Sequence, residues 1–92
     1  MRIGKVIGTV TLNRWHESLR GARYRVAVPL SLANLRGESA ADAEGIVVYD
    51  DLGAGDGSLI AISEGGEAAQ PFRPNLKPID AYCAAILDGV NL

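Results

Sequence analysis

The sequence has a single cysteine, few aromatic side chains and no long apolar run. Cys83 stands alone, which excludes a disulfide within the chain and favours a reducing, cytoplasmic compartment. No apolar stretch approaches the roughly 20 residues that a membrane-spanning helix needs. Residues 1–6 do not contain the apolar core of a signal peptide. We therefore expect neither membrane insertion nor secretion.

An excess of positive charge is also missing. Nine Lys and Arg against eleven Asp and Glu give a formal net charge of −2, whereas nucleic-acid binding is typical of basic domains. One stretch alone concentrates basic and aromatic side chains: Arg14, Trp15, Arg20, Arg23, Tyr24 and Arg25. A barrel that binds single-stranded nucleic acid would use such a stretch, so this function remains the alternative. Solvated charges or ion pairs between subunits are the simpler interpretation.

No group of residues in the sequence suggests catalysis. His16 is the one histidine and lies in a polar segment, and too few other ligands accompany it for a metal site. Cys83 lies in an apolar run, which predicts a small buried side chain. Asp50 and Asp51 are adjacent, so on a strand they point to opposite faces. They predict turn initiation through hydrogen bonds to the following backbone. We expect no enzyme, cofactor or metal; a small enzyme or ligand-binding subunit is a third class, which turnover or a bound cofactor would favour.

The composition and the pattern of apolar residues together indicate one folded β domain over residues 1–92. The chain is 48% hydrophobic and 22% charged, which excludes disorder. Alternating apolar and β-branched residues predict strands over residues 2–12, 22–30, 45–50 and 58–63. In the first strand, Gly4 and Gly8 share the apolar phase, which favours a bend or a close backbone approach. In the second, the predicted buried face consists of Tyr24, Val26, Val28 and Leu30, opposite a face that begins with arginines.

The connections predict mostly irregular structure. Residues 31–45 are expected to form a long surface connection, and residues 51–57 a glycine-rich turn whose spacing does not fit a phosphate-binding loop. Residues 64–70 permit one short helix, and Pro71, Pro74 and Pro78 should exclude regular structure up to Ile79. Residues 80–92 fit either a helix capped by Asp80 or a buried strand. Short strands with glycine-rich turns indicate a small closed or partly open barrel.

Four sequence blocks together resemble a known family. They are residues 2–10 (RIGKVIGTV), 18–30 (beginning SLRG and ending VPL), 50–57 (DDLGAGDG) and 78–88 (beginning PIDA). In this order they resemble the EutN/CcmL-type vertex proteins of bacterial microcompartments. The resemblance implies a mainly β fold: a small five-stranded OB-like barrel with one short helix, assembled as a cyclic pentamer. It also favours a strand from about Cys83, after a helical turn at Asp80.

The resemblance further implies a structural function in the cytoplasm. A pentamer would cap the five-fold vertices of a polyhedral shell, with hexameric and trimeric shell proteins as partners and a narrow central pore. The glycine-rich turn is expected at the ring axis, where five copies crowd and Asp56 would favour cations. The alternative is that these glycines form only a turn. The pore-lining candidates are Gly53, Ala54, Gly55, Asp56 and Gly57.

A head-to-tail ring also needs two different, complementary subunit surfaces. The apolar closing segment and the glycines of the opening strand are expected to supply them. The interface candidates are Gly4, Gly8, Tyr82, Ala84, Ala85 and Ile86. Trp15 and the arginines are candidates for contacts with hexamers, because Trp and Arg are enriched at interface hot spots.

Overall fold

A computed structural model describes residues 1–12, 17–20, 23–73 and 79–92, and its strands close into a barrel. The sheet order is β1-β2-β3-β5-β4, and β4 pairs with β1 to complete the ring. The β3–β5 pair is parallel and the other pairs are antiparallel. The strands are β1 (Arg2–Val10), β2 (Arg23–Pro29), β3 (Ile46–Asp50), β4 (Leu59–Glu64) and β5 (Ala81–Leu87). The predicted mainly β, five-stranded OB-like barrel is confirmed.

The last segment is a strand, as the family resemblance favours. β5 begins at Ala81 and ends at Leu87, so it starts earlier than predicted and does not reach Val90. The helical turn predicted at Asp80 is wrong, because this residue forms a bend. Its carbonyl oxygen accepts a hydrogen bond from the Gly65 N–H at 2.8 Å. That bond holds the entry of β5 against the residue that follows β4.

The barrel interior is filled by small and branched side chains that are fully buried. This core cluster consists of Val6, Ala27, Val48, Ala54, Ile60, Ile62 and Cys83. Cys83 is therefore the small buried side chain that the sequence predicts. Burial, with a smaller contribution from the nearby Asp50, raises the pKa of its thiol to about 11. The thiol consequently stays protonated and unreactive at neutral pH.

The predicted buried face of β2 is wrong. Arg25, Ala27 and Pro29 are the buried residues of this strand, whereas Tyr24 and Val26 are half-buried on the other face. The physical reason is the ion pair of Arg25 with the buried Asp50, which holds Arg25 inside the barrel and, by strand alternation, places Ala27 and Pro29 on the same inner face. Apolar residues consequently remain on the outer wall of the isolated subunit.

A β-bulge at Ile7 separates the two glycines of β1. Val6 is opposite Ala27, but Gly8 is opposite Val26, which leaves Ile7 as the extra residue. Because one inserted residue reverses the alternation of side chains, Gly4 and Gly8 lie on different faces of the strand. The expectation that they share one phase is therefore wrong.

Three short helices accompany the strands in the described part of the chain. α1 (Leu32–Leu35) lies in the segment that the sequence predicts to be irregular, and Ser31 with Asn34 forms a capping box at its start. A 3₁₀ helix spans Glu17–Leu19 and another spans Gly65–Phe72, close to the predicted short helix. Pro71 lies inside the second one rather than ending regular structure, because its fixed φ is compatible with helical backbone. Pro74 and Pro78 lie outside the described residues.

Four aromatic rings form one cluster beside the longer 3₁₀ helix. Tyr49 lies between Tyr24, Phe72 and Tyr82, with ring centroids 5.5 to 6.2 Å apart. Phe72 contacts Tyr82 edge-on at 5.1 Å. Since Tyr49 is only 4% exposed, this cluster covers the outer wall where β3 meets β5.

Candidate functional site

The glycine-rich loop between β3 and β4 is the first candidate site. Gly53 and Gly57 have φ angles of +85° and +86°, which L-amino acids with side chains rarely adopt. Gly53, Gly55, Asp56 and Gly57 are exposed, as a pore-lining role requires. Ala54 is fully buried in the core cluster, so its methyl group anchors the loop and cannot line a pore.

The second half of this loop is fastened to β1 by backbone hydrogen bonds. The Gly57 N–H donates to the Val6 carbonyl at 2.7 Å, and the Val6 N–H donates to the Ser58 carbonyl at 2.9 Å. The Ser58 N–H closes a turn on the Gly55 carbonyl at 3.1 Å. The exposed tip at Asp56 therefore projects from a fixed base.

The first half of the loop is fastened by Asp50, as the sequence predicts. One carboxylate oxygen accepts the Leu52 N–H at 2.9 Å, and the other accepts the Ala54 N–H at 2.8 Å. Asp50 is 1% exposed. Arg25 is its charged neighbour, with Nε 3.6 Å from Oδ2, and Nη1 of Arg25 donates to the Thr9 hydroxyl.

The predicted basic and aromatic stretch is not one continuous surface. Arg25 is 8% exposed and lies inside the barrel, so its interpretation as a solvated charge is wrong. Arg20 is exposed and pairs with Glu17 at 2.9 Å, and Tyr24 packs in the aromatic cluster. Arg14, Trp15 and His16 lie outside the described residues.

The two glycines predicted at a subunit interface have opposite environments. Gly4 is buried inside its own barrel, where a Cβ atom would lie 2.5 Å from Ile62 Cδ1 and 3.3 Å from the Val28 carbonyl oxygen. At Gly8, no atom of the described residues other than its own chain neighbours lies within 4 Å of an added Cβ. Gly8 alone of the two therefore presents a surface to a neighbour.

The interface candidates of β5 also divide. Tyr82 belongs to the aromatic cluster, and its hydroxyl donates to Asp51 Oδ1 at 3.1 Å. Burial, and then this hydrogen bond, raise the pKa of Tyr82 to about 12. Ala84 is the extra residue of a bulge opposite β4, Ala85 is half-buried, and Ile86 is 43% exposed. Adjacent strand residues point to opposite faces, so Ile86, which is opposite the fully buried Ile60, does not share the face of Ala85, which is opposite Ala61. Ala84 and Ala85 therefore form the accessible apolar surface of the outer wall.

Sequence reasoning missed Val47, which is 51% exposed on β3 opposite Val26. Ile7 at the bulge is 55% exposed. The sequence contains a signal for Val47. A half-buried strand alternates apolar and polar residues, whereas residues 46–48 are all apolar, so one of them must face outward.

Two absences apply to the described residues. Nowhere in residues 1–12, 17–20, 23–73 or 79–92 do three or more His, Cys, Asp or Glu side chains cluster as a metal site would require. Over the same ranges, no helix has the length and apolar character needed to cross a membrane.

Comparisons with known proteins give consistent matches. The family model "Ethanolamine utilisation protein EutN/carboxysome" matches residues 1–88. The bacterial microcompartment shell vertex protein GrpN of Rhodospirillum rubrum is 37% identical over 91 residues, covering 99% of this chain and 97% of GrpN. The carboxysome shell vertex protein CcmL of Thermosynechococcus vestitus is 35% identical over 91 residues, covering 99% of this chain and 87% of that protein.

Two solved structures have the same fold. The pentameric microcompartment shell protein GrpN of Rhodospirillum rubrum superposes with a TM-score of 0.80 at 35% identity, covering 100% of this chain and 99% of GrpN. CcmL of Gloeobacter violaceus superposes with a TM-score of 0.84 at 27% identity, covering 100% of this chain and 90% of CcmL.

Proposed function

Because the chain belongs to the EutN/CcmL family of microcompartment shell vertex proteins, we propose that its pentamers close a polyhedral shell in the cytoplasm. It is a structural shell protein and not an enzyme. The observation that carries the pentamer is the match, over the whole chain, to a relative whose structure is pentameric. A flat layer of hexagonal tiles needs five-fold corners to close, and a five-membered ring supplies them.

The ring requires two different surfaces, and the barrel offers a pair. The opening wall consists of Gly8, Val26 and Val47, which are cross-strand neighbours on β1, β2 and β3. The closing wall consists of Ala84 and Ala85 on β5. The aromatic cluster at the β3–β5 contact lies between the two walls. A head-to-tail contact joins the closing wall of one subunit to the opening wall of the next.

Exposure supports this assignment of the walls. Val47 is a large apolar side chain that is 51% exposed in the isolated subunit, and Ala84 and Ala85 are half-buried there. Burying apolar surface contributes about 25 cal/mol per Å², and a subunit with a small core gains from burial against a neighbour. The open space at Gly8 permits a neighbouring backbone to approach closely.

The exposed part of the glycine-rich loop is the proposed lining of a narrow axial pore. Gly53, Gly55 and Gly57 carry no side chain, so five copies can approach one another. Asp56 is exposed at the loop tip, and five carboxylates around an opening would favour cations over anions. Ion passage through shells or planar bilayers carrying the pentamer tests this role: Asp56→Ala should lower cation preference, and an unchanged preference would remove the electrostatic role.

Hexameric and trimeric shell proteins are the proposed partners of the ring's outer edge. Co-production of this chain with a hexameric shell protein, followed by electron microscopy, tests the vertex function. Closed polyhedra should form only when the chain is present. Equally sealed particles in its absence would contradict the proposed function.

The alternative of a single-stranded nucleic-acid-binding module loses the support of two of the six residues that suggested it. Arg25 points into the barrel and is paired with Asp50, and Tyr24 packs against Tyr49. Neither side chain is available to a strand of nucleic acid as a charged or stacking contact.

A further inference from the structure

Asp50 and Arg25 form a buried pair directly beneath the loop that is proposed to line the pore. The Asp50 carboxylate is fully buried, and the Arg25 side chain is 10% exposed. Removing such charges from water is costly unless they are paired and hydrogen-bonded. Packing alone therefore does not explain why so small a core contains this charge pair.

The hydrogen bonds of Asp50 supply that reason. Both carboxylate oxygens are used by backbone N–H groups of the loop, those of Leu52 and Ala54. These two N–H groups flank Gly53, whose positive φ redirects the chain. Asp50 thereby fixes the backbone on both sides of the turn, while the buried Ala54 methyl group prevents the loop from lifting.

Arg25 acts on Asp50 through its positive charge and not through a hydrogen bond. Its buried Nε has no hydrogen-bond partner within the described part of the chain and lies 3.6 Å from Asp50 Oδ2, whereas Nη1 donates a hydrogen bond to the Thr9 hydroxyl. Thr9 is opposite Arg25 only because the bulge at Ile7 reverses the alternation of β1. The bulge, Thr9 and Arg25 thus place a positive charge beside the carboxylate that holds the loop.

We infer that Asp50 is the positioning residue of the glycine-rich loop, balanced by Arg25, and that it fixes the loop in each subunit before the ring assembles. The axial location of this loop rests on the proposed function, but its internal fixation does not. A loop fixed in this way gives the pore one aperture. The ring then has no need to order the loop on assembly.

Amide hydrogen exchange of the wild-type chain, resolved by NMR on both dilute dissociated subunits and assembled rings, tests the inference. The Leu52 and Ala54 amides should be protected to within about tenfold of the Val6 amide in both states. Exchange of both amides as fast as in an unstructured peptide, or protection that appears only in rings, would overturn it.

Asp50→Asn and Asp51→Asn form a matched pair for the same measurement. The asparagine NH₂ at position 50 would face an N–H donor, so exchange at Leu52 or Ala54 should quicken by about tenfold or more. Asp51→Asn alters a carboxylate bonded to Tyr82 and should leave these amides unchanged. Unchanged exchange in a folded Asp50→Asn protein overturns the inference; if that variant does not fold, the wild-type exchange decides.

Native mass spectrometry of the same samples separates this inference from the proposed function. Protected amides in a chain that never forms pentamers would leave the positioning role intact and remove the axial one. Pentamers with unprotected Leu52 and Ala54 amides would remove the positioning role of Asp50 and leave the proposed pentamer intact.

Discussion

Gly4 lies so close to Ile62 that a side chain at position 4 would enter the space of the Ile62 Cδ1 atom. Only hydrogen at this position lets β1 close against the core. Gly4→Val should therefore destabilise the barrel by about 1–3 kcal/mol through overpacking. Urea unfolding at fixed protein concentration measures the change.

Gly66→Ala is the control for that experiment. Across the described ranges, a Cβ at Gly66 would meet no atom within 4 Å except those of its chain neighbours, so the free energy of unfolding of this variant should stay close to that of the wild type. Equal stabilities of the two variants would contradict the close packing at Gly4.

A buried and an exposed ion pair should contribute differently to the free energy of unfolding. Arg25→Met leaves the Asp50 carboxylate buried without its charged neighbour and should cost about 3 kcal/mol or more. Arg2→Met breaks an ion pair with Glu64 whose side chains are 51% and 37% exposed, and should cost no more than about 1 kcal/mol. Chemical unfolding of both variants compares them, and a larger loss for Arg2→Met would contradict the burial argument.

The Arg2–Glu64 pair also predicts a pH dependence. The hydrogen bond from Arg2 lowers the pKa of Glu64 below its ordinary value of 4.5. A lowered folded-state pKa means that the pair stabilises the barrel above pH 4.5 and that this contribution is lost as the pH falls through the folded pKa. Carbon-detected NMR titration should show Glu64 ionising below pH 4.5 in the wild type and closer to 4.5 in Arg2→Met. The same midpoint in both proteins would contradict this assignment.

The two walls predict a distinctive behaviour of mixed variants. Val47→Lys disrupts the opening wall and Ala85→Lys the closing wall, so each variant alone should lose the ring, with dissociation increased about a hundredfold. Mixed together, they retain one intact junction between unlike chains and should form a one-to-one dimer. Size-exclusion chromatography with light scattering measures these species.

Leu32→Lys is the matched control, because Leu32 is 52% exposed but lies on α1 outside both walls. It should keep the ring. Rings that survive both wall variants, or a mixture that stays monomeric, would contradict the head-to-tail assignment.

The predictable parts of the fold are those in which local chemistry decides the conformation. Alternating β-branched residues predict the strands, and the aspartates and glycines of residues 50–57 predict the turn that Asp50 closes. Short apolar runs do not separate a helix from a strand, so β5 needed the family resemblance.

The features of the fold that the sequence does not predict depend on pairing between residues that are distant along the chain. The bulge at Ile7 arises from the register of β1 against β2, and the sequence alternates across it without a break. The inward position of Arg25 follows from its pairing with Asp50, 25 positions further along the chain. The exposure of Val47 shows which apolar residues the barrel leaves on its outside.

Native mass spectrometry of the purified wild-type chain is the most direct test of a five-fold vertex protein. Spectra at low micromolar concentration in volatile buffer should be dominated by one species with five times the 9.7 kDa subunit mass. A chain that remains monomeric as its concentration rises, or that forms closed rings of another size, would contradict the account.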